Sequence, residues 1–477
     1  MKKDPTIDIQ QLKKFPIVAV LLAGAFIAIL NQLLLATAIP RIMADLNLSE
    51  NTAQWVTTIF MLVNGIMIPI TAFLVETFTT RKLFLSAMSI FAVGTLICAL
   101  STDFAILMVG RVIQAAGAGI MLPLMMIIFL LIFPIEKRGA AMGMVGLVIS
   151  FAPAIGPTLS GWVVQHYPWR YLFYIILPFA IIDIIVAYFV MKNVTTRTFP
   201  KVDYLSIVLS TLGFGGLLYG VSSAGNYGWT SIYVILSLVF GAISLTIFIL
   251  RQFKLKQPIL EFRVFKFKMF TITTAIGMIV FIGLIGAETM LPIYMQNMAG
   301  FTAIESGIMI MPGALLMGIM SPITGRIFDK IGARWLVITG LSIVTVTSFL
   351  FTDLTAHTSL TYLTIVFAIR MFGIAMVMMP ATTAGLNQLP NRLIPHGTAM
   401  NNTMRQIAAS IGTAVLITVM TATAIYNGNP NGIVHGVNVA FYVITGLTVI
   451  GLGLSFFIKG TTPAQEREAM ARSEHSG

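Results

Sequence analysis

Charge is what this sequence has least of. Only 10% of its 477 residues are Asp, Glu, Lys or Arg, and its mean hydropathy is +0.93. Soluble domains carry about 25% charged residues, so this chain cannot cover a water-facing surface and a soluble fold is excluded. Cysteine is nearly absent. The single Cys98 excludes an intrachain disulfide, a thiolate metal site and a dithiol redox motif. The five histidines, at 166, 357, 396, 435 and 475, fall in expected loops or the tail, which leaves none for a relay inside a span. Nucleotide and hydrolytic signatures are missing too: there is no Walker A loop, no H-E-x-x-H and no Gly-x-Ser-x-Gly elbow. An enzyme is not expected, nor a metal site, nor a cofactor other than a coupling proton.

What the sequence does have is long apolar runs. A membrane span needs roughly 20 apolar residues at 1.5 Å rise each. Fourteen runs qualify: 16–39, 53–76, 83–101, 105–133, 139–164, 170–191, 204–222, 230–250, 270–296, 303–325, 335–352, 359–380, 397–426 and 438–458. They are too long and too evenly apolar for barrel strands, so the fold class is all-α. The charged start and first run, without a small-residue cleavage site, read as a retained signal-anchor.

The net charge of +12 does not point to nucleic acid, because the basic residues sit in short loops between runs. Of the 29 Lys and Arg, all but five fall in the segments that alternate with the N-terminus inside. Arg41 and Arg170 stand in expected outer loops. Arg111, Arg370 and Arg405 lie within spans, as do the acids Asp183 and Glu288. The loop bias puts both termini in the cytoplasm. Each intramembrane charge costs about 2.5–3.5 kcal/mol on insertion scales and so asks for a function.

An internal repeat is visible. "PITAFLVETFTTRK" (69–82) follows the second run and "PITGRIFDKIGAR" (322–334) the tenth, while Arg111 corresponds to Arg370, at an offset of about 250 residues. The expected organisation is a cytoplasmic N-terminus (1–15), a six-helix bundle (16–191), a linker with two additional helices (192–269, helices 204–222 and 230–250), a second six-helix bundle (270–458) and a cytoplasmic tail (459–477). Residues 204–250 contain no ionisable Asp, Glu, Lys or Arg, as befits lipid-facing additions outside a working core. The linker's basic and apolar stretch 251–270 reads either as an interfacial segment on anionic lipid or as a plain charged loop. Repeated halves around a central site are the usual plan of secondary transporters.

These motifs resemble the major facilitator superfamily, in particular its fourteen-helix drug:proton antiporters of the EmrB/QacA and lincomycin-resistance type. The resemblance covers about residues 16–458. The family's loop motif Gly-x-x-x-Asp-Arg/Lys-x-Gly-x-Arg/Lys is kept in the second half at Gly325, Asp329, Lys330, Gly332 and Arg334. It is eroded in the first, where Ala72, Glu76 and Thr79 replace Gly, Asp and Gly while Arg81 and Lys82 remain. The family uses this loop as a conformational latch, and the acid is suited to accept from amides at a neighbouring helix N-terminus. The plainer alternative is topology-setting by positive charge.

"GRVIQAAGAGIMLP" (110–123) is similar to the family's Arg-x-x-Gln-Gly-x-Gly element at Arg111, Gln114 and Gly117. "GMVGLVISFAPAIGPTLSG" (143–161) is similar to its antiporter motif at Gly143, Ala152, Gly156, Pro157 and Gly161. Small residues there let helices approach, and Pro157 removes a backbone hydrogen bond. "GTAMNNTMRQIAASIGTA" (397–414) carries the matching second-half residues, Asn401 and Arg405 among them. In the first run the family carries an acid where this chain has Asn31, followed by Gln32. Asn31 is nine residues before Pro40, about 13 Å along a helix axis. An amide does not titrate, so these two are expected to line a polar cavity or contact Arg111.

Proton coupling needs a group that changes charge between the two faces. A carboxyl in an apolar site serves, because loss of water favours its neutral form. Glu288 is the first candidate, with a permanent pair to Arg370 or Arg405 as the alternative, and Asp183 is the second. Arg111, Gln114, Arg370, Asn401 and Arg405 are expected in polar networks, since Arg stays charged. The methionine runs "MLPLMM" (121–126) and "MVMMP" (376–380) read as ordinary packing or as an adaptable binding wall.

The expected function is export of amphipathic drugs in exchange for protons from a bacterial cytoplasmic membrane, with alternating access between the bundles. The expected partners are an amphipathic small molecule and the lipid bilayer, with no nucleic acid and no obligatory protein. An exporter of an endogenous metabolite or lipid-like molecule is the alternative on the same fold. A non-transporting sensor or scaffold is more remote, because no sizeable soluble domain is visible.

Overall fold

The computed structural model describes residues 13–195, 203–424 and 430–465. Most of the expected N-terminal segment, residues 196–202 of the linker and the end of the tail lie outside the described residues. In lipid every backbone N–H and C=O must be bonded internally, and helices achieve this within one segment. In order, the helices are α1 (Lys14–Leu34), α2 (Ile39–Leu46), α3 (Glu50–Thr77), α4 (Thr80–Ala99), α5 (Phe104–Ile132), α6 (Arg138–His166), α7 (Tyr171–Val190), α8 (Tyr204–Tyr227), α9 (Ile232–Lys254), α10 (Lys268–Asn297), α11 (Ala303–Ile331), α12 (Arg334–Leu350), α13 (Leu360–Asn387), α14 (Ile394–Thr423) and α15 (Pro430–Ser455). Fourteen, all but α2, are long and apolar enough to cross a membrane. The protein is an all-α, multi-pass membrane protein.

The first expected run ends early. α1 stops at Leu34, a single 3-10 turn covers Ala36–Ala38, and α2 begins with Pro40 in its first turn. The Ser160 hydroxyl donates to the Leu34 carbonyl and accepts from Thr37 Oγ1 at 2.6 Å. A hydroxyl from α6 thus satisfies a carbonyl that the helix break would leave open. Other ends carry ordinary caps. Thr302 and Glu305 form a reciprocal capping box at α11, and Ser49, Thr79 and Ser359 cap α3, α4 and α13.

The chain forms two compact units. Unit 1 comprises Met1–Ile132, Ile155–Arg263 and Asn391–Thr403; unit 2 comprises Phe133–Ala154, Val264–Pro390 and Met404–Gly477. Two helices change unit along their length. α6 does so between Ala154 and Ile155, flanked by Pro153 and Pro157, and α14 does so between Thr403 and Met404. In unit 1 the α8–α9 hairpin is built on small residues: a Cβ on Gly216 would stand 3.0 Å from Gly241 Cα. α8 also packs on α3, where the Trp55 and Tyr219 rings stack at 5.5 Å. Only 17% of the α9 span is buried, as expected of a helix facing lipid. The hairpin's base is clamped by Asp203, which accepts from Arg251 Nε at 2.8 Å and Nη2 at 3.0 Å. Gln252 then pins the basic segment that follows, donating to Ser206 Oγ and accepting from the Ile259 amide at 2.8 Å.

Candidate functional site

In unit 1 the polar residues of α1, α4 and α5 converge on one amide. Gln114 Oε1 accepts from Arg111 Nη1 at 2.7 Å, while its Nε2 donates to Thr95 Oγ1 at 2.7 Å and to Asn31 Oδ1 at 3.2 Å. Arg111 Nε also donates to the Val56 carbonyl at 2.9 Å, and its guanidinium lies 4.2 Å from the Phe60 ring centre. All three of Asn31, Arg111 and Gln114 are buried. Asn31 therefore reaches Arg111 through Gln114 rather than directly. Gln32, next along the helix, is half-buried and makes no hydrogen bond among the described residues. Thr95 was not singled out from the sequence. A Thr in an apolar span usually returns its hydroxyl to its own helix, as Thr95 also does to Phe91 O at 2.7 Å, so no sequence signal marks its second role.

Asp183 is in unit 1 as well. It sits on α7 and is 5% exposed. Its Oδ2 packs over Gly24 of α1: a Cβ on Gly24 would lie 2.9 Å from that oxygen and 3.0 Å from the Phe84 ring. Among the described residues this carboxylate oxygen has no hydrogen-bond partner.

In unit 2 the two arginines are each committed to backbone and hydroxyl groups. Arg370 donates to the Gly283 carbonyl at 2.9 Å and to Ser348 Oγ. Arg405 donates to Thr382 Oγ1 and to the Met378 carbonyl at 3.2 Å. Neither forms an ion pair with Glu288 within 4 Å. Glu288 sits half-buried on α10, one turn beyond Gly283. Asn401 is buried on α14. The methionines at 121, 125, 126, 378 and 379 are all buried.

The loop residues form two different contacts. In unit 2, Asp329 at the end of α11 accepts from the amides of Gly139 at 2.8 Å and Ala140 at 2.9 Å. These are the opening amides of α6, which have no partner within the helix. The helices approach so closely that a Cβ on Gly325 would lie 2.2 Å from the Gly139 carbonyl oxygen. Further along the same crossing, a Cβ on Gly143 would stand 2.5 Å from Ser321 O. Gly332 ends α11 with φ +79°, and a Cβ there would also meet Thr461 O at 2.5 Å, so glycine is required on both counts. Lys330 and Arg334 flank this turn.

In unit 1 the corresponding acid, Glu76, instead meets a side chain: its Oε1 is 3.0 Å from His396 Nε2. The hydropathy reading puts His396 in a loop, one residue before the expected thirteenth span. It lies in the first turn of α14, which begins at Ile394, and is 5% exposed. Arg81 does not join this contact. It bonds the Tyr188 carbonyl at the end of α7 and covers the Tyr188 ring at 4.8 Å. Arg138, read from sequence as a loop cation, is buried and donates to Asn387 Oδ1 at 3.1 Å.

The remaining residues of the antiporter stretch divide between surroundings. Ala152 is buried; a Cβ on Gly156 would contact Leu33 of α1 at 3.1 Å; Pro157 is exposed, and Gly161 faces open space. Among the described residues no group of acids, histidines or cysteine is arranged to hold a metal ion.

Comparison with known proteins bears on this geometry. The family model of the Major Facilitator Superfamily matches residues 21–413. An uncharacterized MFS-type transporter of Bacillus subtilis, YcnB, is 58% identical over 95% of this chain and 97% of its own length. The lincomycin resistance protein LmrB of Listeria monocytogenes is 43% identical over 94% of this chain and 98% of its own. Among solved structures, the human organic anion transporter MFSD10 (TETRAN) has a similar fold, with a TM-score of 0.66 at 14% identity over 93% of this chain and all of that one.

Proposed function

The chain belongs to the major facilitator superfamily, and from that premise we propose that this membrane transporter expels amphipathic compounds from the bacterial cytosol in exchange for protons. Both termini are then cytoplasmic, a reading that the Lys and Arg distribution supports, and transport proceeds by alternating access. The observation that carries the reading is Glu288: a half-buried carboxyl inside a span, with the neighbouring Arg370 engaged by Gly283 and Ser348. A carboxyl without an ion pair is able to take up and lose a proton, or to exchange one for a cationic substrate, at little structural cost. Asp183 is the second proton candidate. Its enclosure against Gly24 makes it slower to meet solvent. The antiporter stretch of α6 and the two loop latches supply close helix crossings that such a cycle must make and break. No cofactor beyond the proton, no nucleic acid and no protein partner is invoked. The driving force is ample, at about 2.3 kcal/mol per charge per 100 mV plus about 1.4 kcal/mol per pH unit.

The name of the Listeria relative makes lincomycin the first substrate to try. In everted vesicles, lincomycin or an amphipathic dye should trigger proton release from the lumen through the native protein. Glu288→Gln should abolish that release at normal expression. Full coupling in Glu288→Gln would remove Glu288 from the mechanism, and unchanged susceptibility of overexpressing cells to every amphipathic compound would favour an endogenous metabolite.

A further inference from the structure

Arg41 and Arg170 are the two cations that depart from the loop bias; Arg41 lines one cavity of unit 1, and Arg170 is bound to Asp45 in that cavity's wall. The cavity has a volume of about 480 Å³, within the range of roughly 300–1,000 Å³ usual for small-molecule sites. It is lined by Arg41 and Asp45 of α2, by Gln165 and His166 at the end of α6, and by Tyr167 and Trp169 in the turn before α7.

The two arginines differ in what they bind. Arg170 Nη1 is 2.7 Å from Asp45 Oδ2, its Nε donates to Ser101 O at 2.8 Å, and its guanidinium covers the Trp169 ring at 4.3 Å. The Trp169 indole N–H donates to the same Asp45 oxygen at 3.0 Å. These two donors, Arg170 foremost, hold the Asp45 carboxyl below its usual range, so it is ionised at neutral pH and offsets Arg170. Arg41 is exposed and has no ion pair among the described residues. The cavity is left with one positive charge in excess.

A second observation fixes its depth. Trp162, Tyr167, Tyr171 and Tyr174 form a ring-to-ring ladder, with successive centroids 5.9, 5.2 and 5.7 Å apart, and each ring is at least 41% exposed. Exposed Trp and Tyr on a membrane protein mark the headgroup level of the bilayer. Tyr167 belongs to the ladder and to the cavity wall alike, so the cavity opens among headgroups. Its free cation, the Gln165 amide and the Tyr167 hydroxyl supply donors for a phosphate. His166 supplies none while neutral: its Nδ1 donates to the Trp162 carbonyl at 2.9 Å, which leaves Nε2 as an acceptor.

We propose that this cavity binds the phosphodiester headgroup of an anionic phospholipid, from the leaflet opposite the basic loops, with Arg41 as the cation that holds the phosphate. The site is independent of the substrate assigned above.

The test is native mass spectrometry of the full chain in detergent, titrated with dioctanoyl phosphatidylglycerol. The expected result is a first lipid whose affinity falls about tenfold in Arg41→Gln and is largely kept in Arg41→Lys, which retains the charge. Lys254→Gln/Lys256→Gln, at exposed positions of the basic segment, should leave this first step unchanged. An unaltered thermal midpoint checks that each variant is folded. Equal affinity of the native chain and Arg41→Gln would overturn the proposal. Displacement of the lipid by millimolar inorganic phosphate, itself dependent on Arg41, would overturn the lipid as the source and assign the site to a free anion.

Discussion

Gln114 serves three partners from three helices, and its neighbours have few substitutes. Replacing it by Leu removes the acceptor of Arg111 Nη1 and the donor to Asn31 and Thr95 at one stroke. An unsatisfied buried polar group costs about 1–3 kcal/mol. That exceeds the average of about 0.6 kcal/mol for one interhelical hydrogen bond in a membrane protein, because several partners lose the same group here. Gln114→Leu should therefore lower the thermal midpoint of the purified protein by several degrees, whereas Gln32→Leu should leave it nearly unchanged. Equal effects of the two substitutions would refute the network. At this scale the sequence named Asn31, Arg111 and Gln114, since a polar residue in an apolar run is conspicuous. It did not give the wiring. The sequence leaves Asn31 to line a polar cavity or to contact Arg111, and distances across three helices decide that Gln114 stands between Asn31 and Arg111.

The helix pair α6 and α11 carries the better-formed of the two loop contacts. Its strength depends on two backbones in contact at Gly139 and Gly325, which lets one carboxylate reach two amides. A Val at position 325 must push the helices apart, and hydrogen bonds to a carboxylate are lost steeply with distance. Gly325→Val should raise amide hydrogen exchange at Gly139 and Ala140 markedly and depress transport. Asp329→Asn, which keeps one carbonyl acceptor, should give a smaller rise. Unchanged protection in Gly325→Val would show that the contact does not hold the start of α6. The second-half motif was readable because its glycines and acid are intact. The first-half copy was readable only as an erosion. Its working partner, His396, escaped because the start of α14 was set three residues too late, and such boundaries are the least certain part of a hydropathy reading.

For the whole molecule, acid stability rests on few groups, because carboxylates are few and most of the surface is apolar. Asp203 joins the base of the α8–α9 hairpin through Arg251, and that pairing, with the Ser206 contacts, holds its carboxyl down to about 2. An unfolded Asp titrates near 3.9. The contribution of Asp203 is thus complete above about pH 4 and disappears as pH falls toward 2. The thermal midpoint of Asp203→Asn should lie below that of the native chain by a constant amount from pH 7 to pH 5, and the difference should shrink below pH 4. A decline of the same size in both proteins would place the acid sensitivity elsewhere. Fourteen spans followed from the sequence alone, because hydropathy is set residue by residue by the cost of transfer into lipid. So did the residues on which a site would be built. Tertiary structure alone decided which of them meet: that Glu288 has no ion pair among the described residues, that Asp183 faces a glycine, and that Arg170 pairs with Asp45 in the wall of the cavity that Arg41 lines. Contacts between helices far apart in the chain depend on packing geometry, which no local property of a segment records.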